Sequence, residues 1–192
     1  MATSTLSRIS TGTSKPDTMT KTKTTLRLLV TSYCKRACPG CCNQDWDLES
    51  LPVVRSFKKY KRICLTGGEP MLYSLMLLYI AKQIRQETDA EIIVYSAKTD
   101  SLRAWEWTLR KLDGATITLH ETRDIKDFAR LNEFLLSRPD LTRDKSLRLN
   151  VFKGIPLNGM DLSLWKVKDN ITWKSKSLPD NEEFLRWVDL SR

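Results

Sequence analysis

From Thr25 to Phe152, five short runs rich in branched and aliphatic residues alternate with longer stretches of helical character. That alternation predicts a parallel β-sheet fed by helical crossovers. The strand runs are residues 26–31, 61–66, 91–96, 115–120 and 146–152; the helical stretches are 71–87, 101–112 and 124–137. Ser101 reads as an N-cap, and Asp113-Gly114 as a stop and turn. Beyond Gly154 the pattern weakens: 171–174 reads as a sixth strand, and 180–189 as a short last helix opened by Pro179-Asp180. Side chains alternate across a strand. Ile117 and Leu119 therefore face away from Thr116, Thr118 and His120, and Leu147, Leu149 and Val151 away from Arg148 and Asn150. The apolar set suits packing against helices, and the polar set suits an open interior.

Ahead of the first strand, the opening 24 residues hold eight threonines, four serines and one acid, Asp17. Such a stretch has too little apolar surface to offset the entropy of ordering and is expected to be disordered, leaving 25–192 as one domain. Its Ser-rich, acid-poor composition also fits an organellar transit peptide, though arginine is scarce, and Met19 offers an alternative start. No stretch approaches the roughly 20 apolar residues of a membrane span, and the expected location is cytoplasmic. An odd count of five cysteines and the lack of a secretory apolar core argue against a disulfide framework.

Three of those cysteines, Cys34, Cys38 and Cys41, stand as C-x3-C-x2-C just after the first strand. A compact thiolate triplet can hold three irons of a cubane cluster and leave the fourth iron open to another ligand. After the second strand comes Gly67-Gly68-Glu69-Pro70. Glycines permit close approach and positive φ, Glu69 offers a carboxylate to a cationic group, and Pro70 suits the first turn of a helix. The alternative is structural zinc with Cys42, Cys64 or His120 as fourth ligand. Against it, Cys42 adjoins Cys41, and Cys64 sits inside an apolar run where a thiol behaves as a small hydrophobe.

The cysteine triplet followed by Gly-Gly-Glu-Pro resembles the signature of radical S-adenosylmethionine (radical SAM) enzymes. The resemblance implies an incomplete (βα)5–6 partial barrel with a mainly parallel sheet and a [4Fe–4S] cluster on Cys34, Cys38 and Cys41. It also implies S-adenosylmethionine bound by Gly67, Gly68, Glu69 and Pro70 and cleaved reductively to a 5′-deoxyadenosyl radical. Ser96, His120 and Asn150, at later strand ends, become cofactor or substrate candidates by the same resemblance; the alternative is that they are merely solvated strand ends. Both motifs stand at strand C-termini, where parallel α/β folds bind ligands, but a doubly wound sheet would place them similarly.

Cys38-Pro39-Gly40-Cys41-Cys42-Asn43-Gln44-Asp45-Trp46 is similar, more narrowly, to the cluster loop of anaerobic ribonucleotide reductase activating enzymes. That implies a glycyl-radical protein as substrate and an electron donor such as flavodoxin or ferredoxin. The glycine-rich segment and arginine usual before the cysteines of that subgroup are replaced here by Lys23-Thr24-Thr25-Leu26-Arg27-Leu28. Other readings are a small radical SAM enzyme modifying a nucleotide, RNA or peptide, and a non-catalytic iron–sulfur or zinc protein. A net charge of +9 fits an acidic partner. Lys58, Lys59, Lys61 and Arg62 form one basic cluster, and Lys166, Lys168, Lys174 and Lys176 another, with Trp165 and Trp173 interleaved as in a nucleic-acid surface. Residues of this kind are more often a solvated face with aromatic core anchors.

Overall fold

In a computed structural model of the chain, residues 23–157, 159–173 and 178–188 are described, apart from the Cys42 side chain. The tail expectation for residues 1–24 therefore lies almost wholly outside the described residues. Seven strands form one all-parallel sheet: β1 Thr25–Thr31, β2 Arg62–Gly67, β3 Glu91–Ser96, β4 Gly114–Leu119, β5 Ser146–Phe152, β6 Lys166–Ile171 and β7 Glu182–Arg186. Among the described residues four α-helices accompany them: α1 Ser74–Glu87, α2 Leu102–Leu109, α3 Asp124–Leu136 and α4 Pro139–Thr142. The order across the sheet is β6-β5-β4-β3-β2-β1-β7, and the sheet is not closed.

The period-2 pattern sorts the two faces as read from the sequence. Leu26, Leu28, Ile63, Leu65, Ile92, Val94, Ile117, Leu119, Leu149 and Val151 all point into a single core with Leu77, Ile80 and Ile84 of α1, Trp105 and Leu109 of α2, and Phe128, Leu131 and Leu135 of α3. Full burial of each such side chain is worth about 1.5–3 kcal/mol, so this one layer dominates the stability. Helices α1–α4 thus contribute to one face, whereas a doubly wound sheet carries helices on both. The opposite face keeps a small apolar cluster of Leu29, Leu51 and Phe184 and is otherwise largely polar.

Ser101 caps α2 through a bond from Ala104 N, and Asp113 does more than end a helix: its carboxylate accepts Ile92 N at 2.7 Å. The helix expected from residue 71 begins with a tight 3-10 turn over Pro70–Tyr73. The β1–β2 crossover holds no α-helix, only a 3-10 turn at Cys42–Asp45. It carries the cysteines, then passes the β7 edge, where Val54 N and Arg186 N bond across at 2.9 and 3.0 Å, and sends Phe57 and Tyr60 into the main core.

Two expectations for the C-terminal part are corrected. The sixth strand is Lys166–Ile171, not 171–174; alternating lysines on an exposed edge hid it, and such charges also deter edge-to-edge pairing. Residues 180–188, the described part of the expected 180–189 helix, are not helical. Glu182–Arg186 forms β7 beside β1, with Arg27 Nε bonded to Glu182 at 2.6 Å and Phe184 buried. The turn chemistry at Pro179 is present, since its carbonyl accepts Glu182 N. A helix so short is marginal alone, and the open edge of β1 offers a full ladder of backbone bonds instead.

Candidate functional site

The site begins where the chains leaving β1 and β2 touch. Gly68 N donates to Thr31 O at 2.6 Å and Glu69 N to Tyr33 O at 2.9 Å. A Cβ at Gly67 would sit 2.2 Å from the Thr31 carbonyl, and one at Gly68 2.2 Å from that of Tyr33; Gly67 also has φ +129°. The two glycines are therefore required for backbone to pack on the start of the cysteine loop. Asn43 adds a further tie by donating from its side-chain amide to the Gly67 carbonyl.

Glu69 is not the loosely held carboxylate that its place in the sequence implies. It is 4% exposed and accepts Met71 N at 3.1 Å, Ser96 Oγ at 2.6 Å and Ala97 N at 2.9 Å. Burial pushes its carboxyl up, and these three bonds oppose that shift. Ser96 is thereby assigned a role the sequence left open, as the partner that holds Glu69.

Cys34, Cys38 and Cys41 line one cavity of about 170 Å³ with Gly67, Gly68, Glu69, Ser96, Thr118, His120 and Trp173. Burial first, then the nearby charges of Glu69, Cys38 and Cys41, push the Cys34 thiol up. Several acidic groups gathered in a half-closed space repel one another when ionised, and an electropositive centre relieves that repulsion. Cys64 does not line this cavity. It is buried in β2, and burial pushes its thiol up to about 11. Among the described residues no three His, Cys, Asp or Glu side chains converge as the ligands of a single ion. A cubane takes one thiolate per iron and does not ask three sulfurs to meet at one point.

Arg36, between the first two cysteines, organises the loop. Its backbone N–H reaches Cys34 Sγ at 3.4 Å, its side chain lines the cysteine cavity, and Nη1 and Nη2 each meet an Asp124 oxygen at 2.8 Å. Asp124 also accepts the backbone N–H groups of His120 and Glu121, at 2.8 and 3.1 Å. Burial disfavours its charge, but Arg36 and these amides win and hold its carboxyl below the usual range. Arg36 and Asp124 were not legible as a pair: they stand 88 positions apart, and Asp124 reads as an ordinary acid in a first helical turn.

His120 lies flat against Trp173, with ring centroids 5.0 Å apart and planes at 4°, and 4.8 Å from Phe152. Burial, then the Arg36 charge, keep its pKa below the ordinary value, so the imidazole is neutral at pH 7. Trp173 also covers Gly40 in the cysteine loop, 3.0 Å from where a Cβ would stand. Asn150 does not reach the cysteine cavity. It lines an adjoining chamber of about 490 Å³, which shares Asn43, Thr66, Thr118, His120 and Trp173 with the cavity and is bounded by Arg27, Lys168, Leu178 and Phe184. Pro70 is buried under the turn it opens and lines neither space.

Part of the nucleic-acid pattern is taken up by structure. Trp165 is a core residue whose Nε1 donates to Asn132, Lys59 pairs with Glu183 and Arg62 with Glu91. Lys174 and Lys176 lie outside the described residues. No described helix is long and apolar enough to cross a membrane. Neither the models of known protein families nor the curated proteins match the chain.

Proposed function

We propose that this protein is a radical SAM enzyme on an incomplete β/α barrel, with a [4Fe–4S] cluster on Cys34, Cys38 and Cys41 and S-adenosylmethionine beside it. The observation that carries the reading is the convergence of the three cysteines, Gly67, Gly68, Glu69, Ser96 and His120 on one cavity at the C-terminal ends of parallel strands. An all-parallel open sheet with helices α1–α4 on one face supports the barrel-type architecture over a doubly wound one. When bound, the cluster and S-adenosylmethionine supply one-electron reductive cleavage of the sulfonium.

The chain's own residues would bind, orient and shield. Gly67 and Gly68 bring a backbone turn against the cysteine loop, and Ser96 with two amides fixes the Glu69 carboxylate at the cavity wall. Neutral His120, backed by Phe152 and Trp173, offers an aromatic face, and Asn150 offers an amide further along the same wall. The cluster-loop resemblance favours a glycyl-radical protein as substrate, with a low-potential flavodoxin- or ferredoxin-like donor. A specific observation favours a second reading, a small substrate. Trp173 reaches from the end of β6 over Gly40, and Leu178 packs on the β1–β7 side, so these C-terminal residues form part of the wall of the chamber that a protein loop would have to enter.

The test is anaerobic incubation of reconstituted protein with dithionite and S-adenosylmethionine. Formation of 5′-deoxyadenosine and methionine, lost in Cys34→Ala, Cys38→Ala and Cys41→Ala, supports the reading; zinc binding with no cleavage overturns it. An electron paramagnetic resonance signal on an added glycyl-radical reductase separates the first substrate reading from the second.

A further inference from the structure

The cysteine loop contains one side chain that the motif does not name and whose placement is costly without a purpose. Arg36 is half-buried, is held by a bidentate bond to a 7% exposed Asp124, and keeps a buried Nε with no partner. The backbone N–H of this residue hydrogen-bonds one candidate ligand sulfur, Cys34, and its side chain lines the cavity that the three cysteines share. A bidentate guanidinium–carboxylate pair is geometrically specific. Asp124 in turn is fixed by the amides that close β4 onto α3, so the guanidinium cannot swing out to solvent without breaking that corner. A loop tie alone would not need a cation in the wall of the cysteine cavity.

We propose that Arg36, locked in place by Asp124, is a positioning residue that tunes the cysteine centre, stabilising its electron-rich state by the positive charge it fixes in the cavity wall. The inference rests on the iron–sulfur reading above. Hydrogen bonds to the sulfurs and local charge are among the levers that set iron–sulfur reduction potentials. A cation fixed beside the cluster favours its reduced form, which carries one more negative charge. The electron itself comes from the external low-potential reductant.

The experiment is a redox titration of reconstituted wild type, Arg36→Gln and Arg36→Lys, followed by electron paramagnetic resonance of the reduced cluster, with iron content measured in parallel. For Arg36→Gln the ratio of reduced to oxidised cluster at a fixed potential should fall about tenfold, which is about 59 mV for a one-electron couple. Arg36→Lys should fall between, because a lysine keeps the charge but is a point charge that cannot fork to Asp124 and so holds its place less firmly. A full iron complement with an unmoved or more positive midpoint in Arg36→Gln overturns the proposal. If that variant takes up no cluster, an unmoved midpoint in Arg36→Lys overturns it instead. A wild type that forms no cluster sinks the iron–sulfur reading and this inference with it, a result distinct from a cluster whose potential does not respond.

Discussion

Replacing Glu69 by glutamine probes how far this residue serves the fold as well as a ligand. One carboxylate oxygen accepts both Met71 N and Ser96 Oγ, and the other accepts Ala97 N. Glutamine has a single carbonyl oxygen, so whichever way its amide is turned, an NH2 group faces a backbone N–H. The Ser96 hydroxyl can rotate to adapt; the amides of Met71 and Ala97 cannot. One buried donor is therefore left without an acceptor, at a cost of about 1–3 kcal/mol. The mutation also relieves the burial of a charge, which offsets part of the cost, so the net loss should be about 2 kcal/mol. For a domain of this size, 1 kcal/mol moves the melting temperature by about 2–4 °C, giving an expected drop of roughly 4–8 °C in protein without cluster. Thermal unfolding followed by circular dichroism reads this directly. An unchanged melting temperature would show that the three bonds contribute nothing and that Glu69 is held only by a ligand.

Gly68→Ala should fail more severely, by more than about 3 kcal/mol, because the new Cβ meets the Tyr33 carbonyl at 2.2 Å and backbone must move; a soluble, equally stable variant would contradict this packing. Trp173→Ala should cost about 1–3 kcal/mol through loss of its contacts with His120 and Phe152, and equal urea midpoints would show that the ring is not seated there. The Arg36–Asp124 pair gives a pH signature. Its carboxyl is held below the ordinary aspartate value of about 3.9, so its stabilisation is complete above that pH and is lost as pH falls through the lower folded value. Wild type should therefore lose stability more steeply than Asp124→Asn below about pH 4, and parallel curves would refute the pairing.

The sequence carried the sheet as far as β5 because those strands obey simple alternation, as in Leu147, Leu149 and Val151 against Arg148 and Asn150. It carried the cavity's main residues because the cysteines and the glycines belong to short local motifs. What it did not carry depends on contacts remote along the chain. β7 is a strand because the edge of β1 is open to it, and nothing in Glu-Glu-Phe-Leu-Arg announces that edge. Glu69 is buried because Ser96 and Ala97 arrive from the end of β3, 27 and 28 positions later. The glycines were read as space for a ligand, whereas the nearest approach is by the Thr31 and Tyr33 carbonyls. Trp173 reads as part of a basic surface pattern and Arg36 as an unspecified position between two cysteines, and only the folded chain brings Trp173 onto the cysteine loop and Arg36 onto Asp124.

The central claim is that Cys34, Cys38 and Cys41 jointly hold one cubane cluster. Iron and sulfide content of anaerobically reconstituted protein tests it most directly, measured for wild type and for alanine at each of the five cysteines in turn. The expected result is about four irons and four sulfides per chain in wild type, Cys42→Ala and Cys64→Ala, with the content collapsing in Cys34→Ala, Cys38→Ala and Cys41→Ala. Full cluster content in any of those three variants, or its loss on changing Cys64, would contradict the account.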